Sequence, residues 1–328
     1  MSDIAVVIDF MAGESHFTDH TLPVYMALPP EMRGAFITRP FHHEQVTVER
    51  STRAGRGDMC LAPSWGDLAR TRYTRRPAIF MEHGAGFRFQ GHSYAGSPDR
   101  PNVVLFLCQN EIVAAANREA HPYATVVVVG VPKMDPWYEM PLKPLDPMGA
   151  SPLVVVAFHW DCHASPGTRS AIDHYEAALP GFASYAKRKG WRLAGHSHPR
   201  IAIRMRHICK EIGIPYISTL DEVFRDADLL IADATSAAYE FASLDRPVLN
   251  LNAPWYRDEP MQGIRFPWHM PGLTIEDPGD LNSAAFRAIG DPPDLAERRR
   301  DAIEMVYPLR GGSAARAAQA IQTFVRTC

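Results

Sequence analysis

The sequence predicts an α/β protein made of two Rossmann-like domains facing one another across a donor-binding cleft. Two series of short apolar runs, each interleaved with helical patterns, and a proline-rich stretch between the series carry that prediction. The runs are continuously apolar rather than alternating, as expected of parallel strands covered on both faces by helices.

In the first series the runs are 4–8 (IAVVI), 58–62, 78–82, 103–108 and 125–130, with a helix expected over 110–120 that starts at Asn110. The segment 133–151 holds four prolines and no periodicity, and reads as an interdomain linker. The second series opens at 153–158 and continues at 192–195, 215–218, 228–233 and 247–252. Helices are expected at about 171–188, 202–213 and 235–244, with two more after 280. The expected domains are therefore 1–147 and 148–328. Proline is frequent, at 28 of 328 residues, which favours short, sharply ended elements.

Composition bounds the function. A formal net charge of −3 argues against a general binder of phosphate backbones. Five cysteines without close pairing read as reduced thiols rather than a disulfide framework or zinc ribbon. The opening residues do not read as a signal peptide, and no apolar run approaches the ~18 residues of a membrane span. A cytoplasmic protein is expected, at most touching a membrane from outside.

In parallel sheets ligands bind at the carboxyl ends of strands, so the loops there hold the candidate site residues. Glu82-His83-Gly84-Ala85-Gly86 follows one strand; His83 has the ordinary pKa of a general base, and Gly84 permits close approach. A structural histidine in a turn explains the same spacing. Gly195-His196-Ser197-His198-Pro199 follows another strand, and the proline holds His198 extended. Asp233-Ala234-Thr235-Ser236 ends a strand and opens a helix; Thr235 or Ser236 would cap it, leaving N–H groups and a helix dipole as an anion site. A plain helix cap is the simpler account. His159-Trp160-Asp161-Cys162-His163 has metal-ligand residue types but neither helical spacing nor a third cluster, so a cleft-lining loop is expected and no metal. Arg70, Arg72, Arg75 and Arg76 form a basic run that reads as a solvated face or as a contact for an anionic acceptor or membrane surface.

In order along the chain, these segments resemble the CDP-glycerol glycerophosphotransferase family, the enzymes that prime and polymerise teichoic acid. The residues that carry the resemblance are Phe80-Met81-Glu82-His83-Gly84-Ala85, Gly130-Val131-Pro132-Lys133-Met134-Asp135 and Ala157-Phe158-His159-Trp160. His198-Pro199, the stretch Asp226–Ser236 with Glu240–Val248 after it, and Gly311–Ala317 complete the set. The resemblance spans about residues 78–325. It implies the GT-B arrangement, no cofactor beyond a nucleotide-diphosphate donor, and metal-independent transfer to an acceptor hydroxyl. By the same resemblance His83 would be the base and His198 would assist at the phosphates. Thr235 and Ser236 would bind the diphosphate, with Gly84, His159 and Asp233 lining the donor site. Glu240 would hold the donor's ribose or transferred group.

This sequence departs from the family pattern at Lys133 (Arg in the family), Asp161 (Arg) and Ala234 (Tyr). The donor could therefore be CDP-glycerol or a nucleotide sugar. The acceptor could be a polyol phosphate, a glycan or a modified nucleobase in DNA. Two other readings remain: a UDP-N-acetylhexosamine 2-epimerase, because Glu82–Arg88 is superficially similar to a loop of those enzymes, and a non-catalytic nucleotide-binding scaffold.

Overall fold

The structure, a computed structural model, describes residues 6–38, 50–51, 57–70, 76–85, 88–89, 92–93, 102–144, 151–161, 169–256 and 269–327. It divides into two compact units, Met1–Met140 with Tyr307–Cys328, and Pro141–Val306.

The first unit is built on a parallel sheet. Its strands are β1 (Ile8–Ala12), β2 (Arg33–Thr38), β3 (Arg50–Ser51), β4 (Met59–Ala62) and β5 (Ala78–Met81). A separate antiparallel ribbon, β6 (Arg88–Phe89) with β7 (His92–Ser93), precedes β8 (Val103–Cys108) and β9 (Thr125–Val128). The sheet order is β3-β2-β1-β4-β5-β8-β9. The helices are α1 (Thr18–Ala27), α2 (Trp65–Arg70), α3 (Glu111–Ala120) and α4 (Asp135–Glu139). Asn110 caps α3 by accepting from the Val113 N–H at 2.9 Å.

Four runs of the first series form strands close to where they are expected. The first is displaced: residues 4 and 5 lie outside the described residues, the strand begins at Ile8, and its second residue is the fully buried Asp9. That carboxylate is satisfied by the Ala35 and Gly57 N–H groups, both at 2.8 Å. A buried charge is tolerable on those terms and is invisible to a search for apolar runs.

The second unit has strands β10 (Leu153–Phe158), β11 (Arg192–Ser197), β12 (Leu229–Ala232), β13 (Val248–Leu251) and β14 (Leu273–Ile275), all parallel, in the order β11-β10-β12-β13-β14. The expected strand at 215–218 is only a single bridge between Tyr216 and Gly195. The helices are α5 (Ile172–Tyr175), α6 (Leu179–Arg188), α7 (Ala202–Ile212), α8 (Leu220–Asp226), α9 (Ser236–Ser243), α10 (Leu281–Ile289) and α11 (Pro293–Val306). Among the described residues, no helix is long and apolar enough to cross a membrane.

The expected boundary at 147/148 needs correction at both ends. Residues 133–140 are not linker: Met134 and Trp137 are buried, and α4 belongs to the first unit. The last helix, α12 (Ser313–Thr327), also belongs to the first unit rather than the second. It buries Ala317, Ala318 and Ile321 in a core with Phe10, Val24 and Leu105. Asp135 fixes its start, accepting from the Ser313 N–H at 2.9 Å and the Ala314 N–H at 2.7 Å. A carboxylate there satisfies two orphan donors and complements the helix dipole. Arg316 donates from Nε to the Val129 carbonyl at 3.0 Å. Gly130, at φ +89°, leaves no room for a side chain, since a Cβ would lie 2.5 Å from the Ser313 hydroxyl.

Removing the Asp135 carboxylate (Asp135→Ala) is expected to cost about 2–4 kcal/mol, from two charge-assisted hydrogen bonds. Urea denaturation gives the loss, and amide exchange at Ala314–Arg316 should accelerate more than exchange in β10. Unchanged exchange in α12 would show that the carboxylate does not hold it.

Candidate functional site

Both sheets reverse their strand order at one point, between β1 and β4 in the first unit and between β10 and β12 in the second. Ligands of open α/β sheets bind outside the carboxyl ends of strands at such points. The residues singled out from the sequence divide between these two places.

In the first unit His83 lies just beyond β5, and Gly84 follows in the left-handed region at φ +77°. The histidine is tied to the end of β4: its N–H donates to the Pro63 carbonyl at 3.3 Å, and its Nδ1 lies 2.7 Å from the same oxygen. A carbonyl only accepts, so Nδ1 carries the proton and the lone pair of the neutral ring sits on Nε2. The half-buried ring packs on Phe17, centroids 4.4 Å apart, with the rings of His16 and His20 each at 6.1 Å. His16 and His20 flank the start of α1 directly after β1. They complete a three-histidine cluster that the sequence reading missed. The His16-x-x-x-His20 spacing was its only signal, in a helix without an apolar stripe.

His20 is buried, and burial pushes its pKa well below the ordinary 6.5, helped by the charges of Lys133, His83 and His16. Lys133 thus acts electrostatically on His20.

In the second unit Asp233 bridges the reversal point. Its Oδ1 accepts from the His159 N–H, at the end of β10, at 2.7 Å. Its Oδ2 accepts from the Ala171 N–H at 2.9 Å and the Ser170 hydroxyl at 3.2 Å. Expected to line the donor site, this side chain is instead turned inward, 3% exposed, and both oxygens are committed to the protein. Burial nevertheless raises its pKa to about 6, against the opposing pull of those hydrogen bonds.

Two residues on, Thr235 caps α9, accepting from the Ala237 N–H at 3.3 Å, and Ser236 opens the helix. Glu240, one turn further, is buried at 1% exposure. His159 is buried, and its Nδ1 lies 3.0 Å from the Trp160 carbonyl. His198 packs against the His159 ring at 5.4 Å and the Trp160 ring at 5.7 Å. The Arg200 N–H donates to its Nδ1 at 3.2 Å, which leaves the proton of the neutral ring on Nε2. The structure therefore joins His159, His198, Asp233, Thr235 and Ser236 at one end of the second sheet, while His83 and Gly84 occupy the corresponding end of the first.

The remaining candidates resolve differently. Arg76 is no solvated surface charge, since its guanidinium donates to the Gly57 carbonyl at 2.5 Å. Arg72 and Arg75 lie outside the described residues, as do Gly86, Cys162 and His163.

Two parallel-sheet units, each with its reversal point and polar loops at the strand ends, define an α/β protein of the GT-B class. Residues 186–322 match the family model described as CDP-Glycerol:Poly(glycerophosphate) glycerophosphotransferase, a stretch that contains His198, Asp233, Thr235, Ser236 and Glu240. No curated protein matches the chain. Among solved structures, the chain is similar to a histidine variant of the wall teichoic acid polymerase TagF soaked with CDPG. The TM-score is 0.64 at 13% identity, covering 100% of this chain and 90% of that one. It is also similar to the S. aureus MnaA–UDP co-structure, at TM-score 0.67 and 14% identity over 98% and 97% of the two chains. A UDP-N-acetylglucosamine 2-epimerase aligns at TM-score 0.60 and 13% identity over 100% and 96%.

The two titrations have opposite signs. Asp233 binds its proton more tightly folded than unfolded, so its contribution to stability is largest below 3.8. That contribution falls as pH rises to about 6 and is constant above. His20 resists protonation in the fold, so its contribution is complete above 6.5 and is lost as pH falls below it. Carbon-13 titration of the Asp233 carboxyl is expected to give a midpoint of about 6. A midpoint at or below 3.8 would mean that hydrogen bonding outweighs burial.

Proposed function

We propose that the chain is a metal-independent transferase that moves a group from a nucleotide-diphosphate-activated donor, CDP-glycerol or a nucleotide sugar, to an acceptor hydroxyl. One observation carries the reading. The capped N-terminus of α9 and His198, both within the residues that match the glycerophosphotransferase model, stand with the His159–Trp160 loop at the reversal point of the second sheet. The backbone N–H groups of a helix start and the positive end of its dipole suit a diphosphate there.

The two histidines have complementary tautomers. His83 presents its Nε2 lone pair, as a base that takes the acceptor's proton requires. His198 presents an N–H on Nε2, suited to a phosphate oxygen. Attack of the acceptor oxygen on the glycerol-bearing phosphorus of CDP-glycerol would release CMP; attack on a sugar's anomeric carbon would release the nucleoside diphosphate. Thr235 and Ser236 bind the donor's phosphates in either case, and Glu240 holds the donor's ribose or transferred group. The acceptor remains a polyol phosphate, glycan or modified nucleobase, and the expected compartment is the cytoplasm.

A second reading, epimerisation of a UDP-N-acetylhexosamine, draws on the UDP-N-acetylglucosamine 2-epimerase structure. Release of free nucleotide without isomerised sugar separates the two.

A metal-free thermal-shift panel of CDP-glycerol, CDP-ribitol and nucleotide sugars tests the donor site. The correct donor at ~100 times its dissociation constant should stabilise the wild type by about 2.7 kcal/mol. A Thr235→Ala, Ser236→Ala double variant should lose that shift. His83→Ala should keep the shift and lose turnover by about 10²-fold or more. A His83→Ala enzyme with undiminished turnover would remove the base assignment.

A further inference from the structure

The loops at the carboxyl end of the second sheet carry a cation to which none of the roles above is given. Arg169 is exposed, and its guanidinium carbon lies 3.9 Å from the centroid of the Trp255 ring. The backbone beneath it is fixed: its carbonyl accepts from the Tyr256 hydroxyl at 2.7 Å and from Trp255 Nε1 at 3.4 Å. Tyr256 is buried, and burial holds its hydroxyl in the protonated, donating form. On the other side of Arg169, the next two residues are the ones that bind Oδ2 of Asp233. Asp161, where the family pattern has arginine, accepts from the Ser170 N–H at 3.0 Å and so ties down the same loop. Loops following β10, β12 and β13 therefore meet at Arg169, and Asp233 is two residues from the cap of α9.

A guanidinium laid on an indole keeps its N–H edges outward and has little rotamer freedom left to lose. Its planar fork matches phosphate oxygens. Arg204 and Arg299 each hold two carboxylates, whereas among the described residues no acid pairs with Arg169. Its charge is neutralised by nothing described in the fold.

We infer that Arg169, ordered on Trp255, is an anion-binding residue of the donor site and holds a phosphate of the donor's diphosphate together with the N-terminus of α9. This rests on the transferase reading above.

Calorimetric titration of the full chain with inorganic pyrophosphate, CDP and UDP tests the assignment. Arg169→Gln is expected to weaken whichever nucleoside diphosphate the wild type prefers, and pyrophosphate, by about tenfold or more. Trp255→Leu should weaken both in the same direction by less, because the charge stays but its platform goes. Arg169→Lys should fall between wild type and Arg169→Gln, and it serves as the folded comparison if the glutamine variant is unstable. Arg188→Gln, on α6, should bind like the wild type. If Arg169→Gln binds nucleoside diphosphate as the wild type does, the inference is overturned and the transferase reading stands. If only nucleoside diphosphate affinity drops while pyrophosphate affinity is kept, Arg169 serves the base, and the phosphate assignment is overturned. If the wild type binds neither, the transferase reading fails and the inference falls with it.

Discussion

Carboxylates that accept backbone N–H groups, most of them buried, hold the folds of both units. Asp233 joins the end of β10, the start of α5 and the loop after β12, the three segments that surround the reversal point of the second sheet. Asp228, fully buried at the other end of β12, accepts from the Leu153 N–H at 2.8 Å and from Lys143. In the first unit Asp9 ties β1 to β2 and to the segment before β4, and Asp135 anchors α12. Each carboxylate would be costly if left alone, and each satisfies backbone donors that would otherwise be orphaned. The loops of the candidate site hang from these fixed points, so their geometry is set by strand ends rather than by the loops themselves.

The family-like segments divide into chemical and structural ones. Gly130–Asp135 and Gly311–Arg316 lie 176 to 186 positions apart, yet they contact each other through Asp135, Ser313 and Arg316, and their work is to seat the last helix. Leu244–Pro247 is likewise structural. Arg246 is buried and donates to the Ala227 and Lys143 carbonyls at 2.6 and 2.7 Å. Asp245 stands at φ +58° and Asp291 at φ +42°, and Arg299 grips both. Two backbone positions that a non-glycine residue resists are thus secured by one buried arginine. His83, His198 and the start of α9 remain as the segments with chemistry to offer.

His83 and His198, each at the strand ends of its own unit, show how hydrogen bonding selects a tautomer. Both rings are ordinary imidazoles, but Nδ1 of His83 meets an acceptor and Nδ1 of His198 meets a donor. The remaining nitrogen is consequently an acceptor in one and a donor in the other. Around His83, burial and the neighbouring Lys133 disfavour a positive charge on His20.

The sequence by itself determined the α/β class, the central strands and the N-capped helices, because continuous apolarity and capping residues are local properties. It also pointed to Thr235, Ser236 and His198, which sit where a strand visibly ends. Strands β2 and β14 were not legible: one is flanked by arginine and threonine, the other has three residues, and both owe their pairing to neighbours. Helix α1, with Pro23 inside it, was equally silent. Only the tertiary structure decided that Asp233 supports the site instead of lining it and that His16 and His20 gather around His83. It also decided that Arg169 lies on Trp255 and that α12 returns to the first unit. Each of these depends on contacts between residues far apart in the chain, and such contacts leave no periodicity to read.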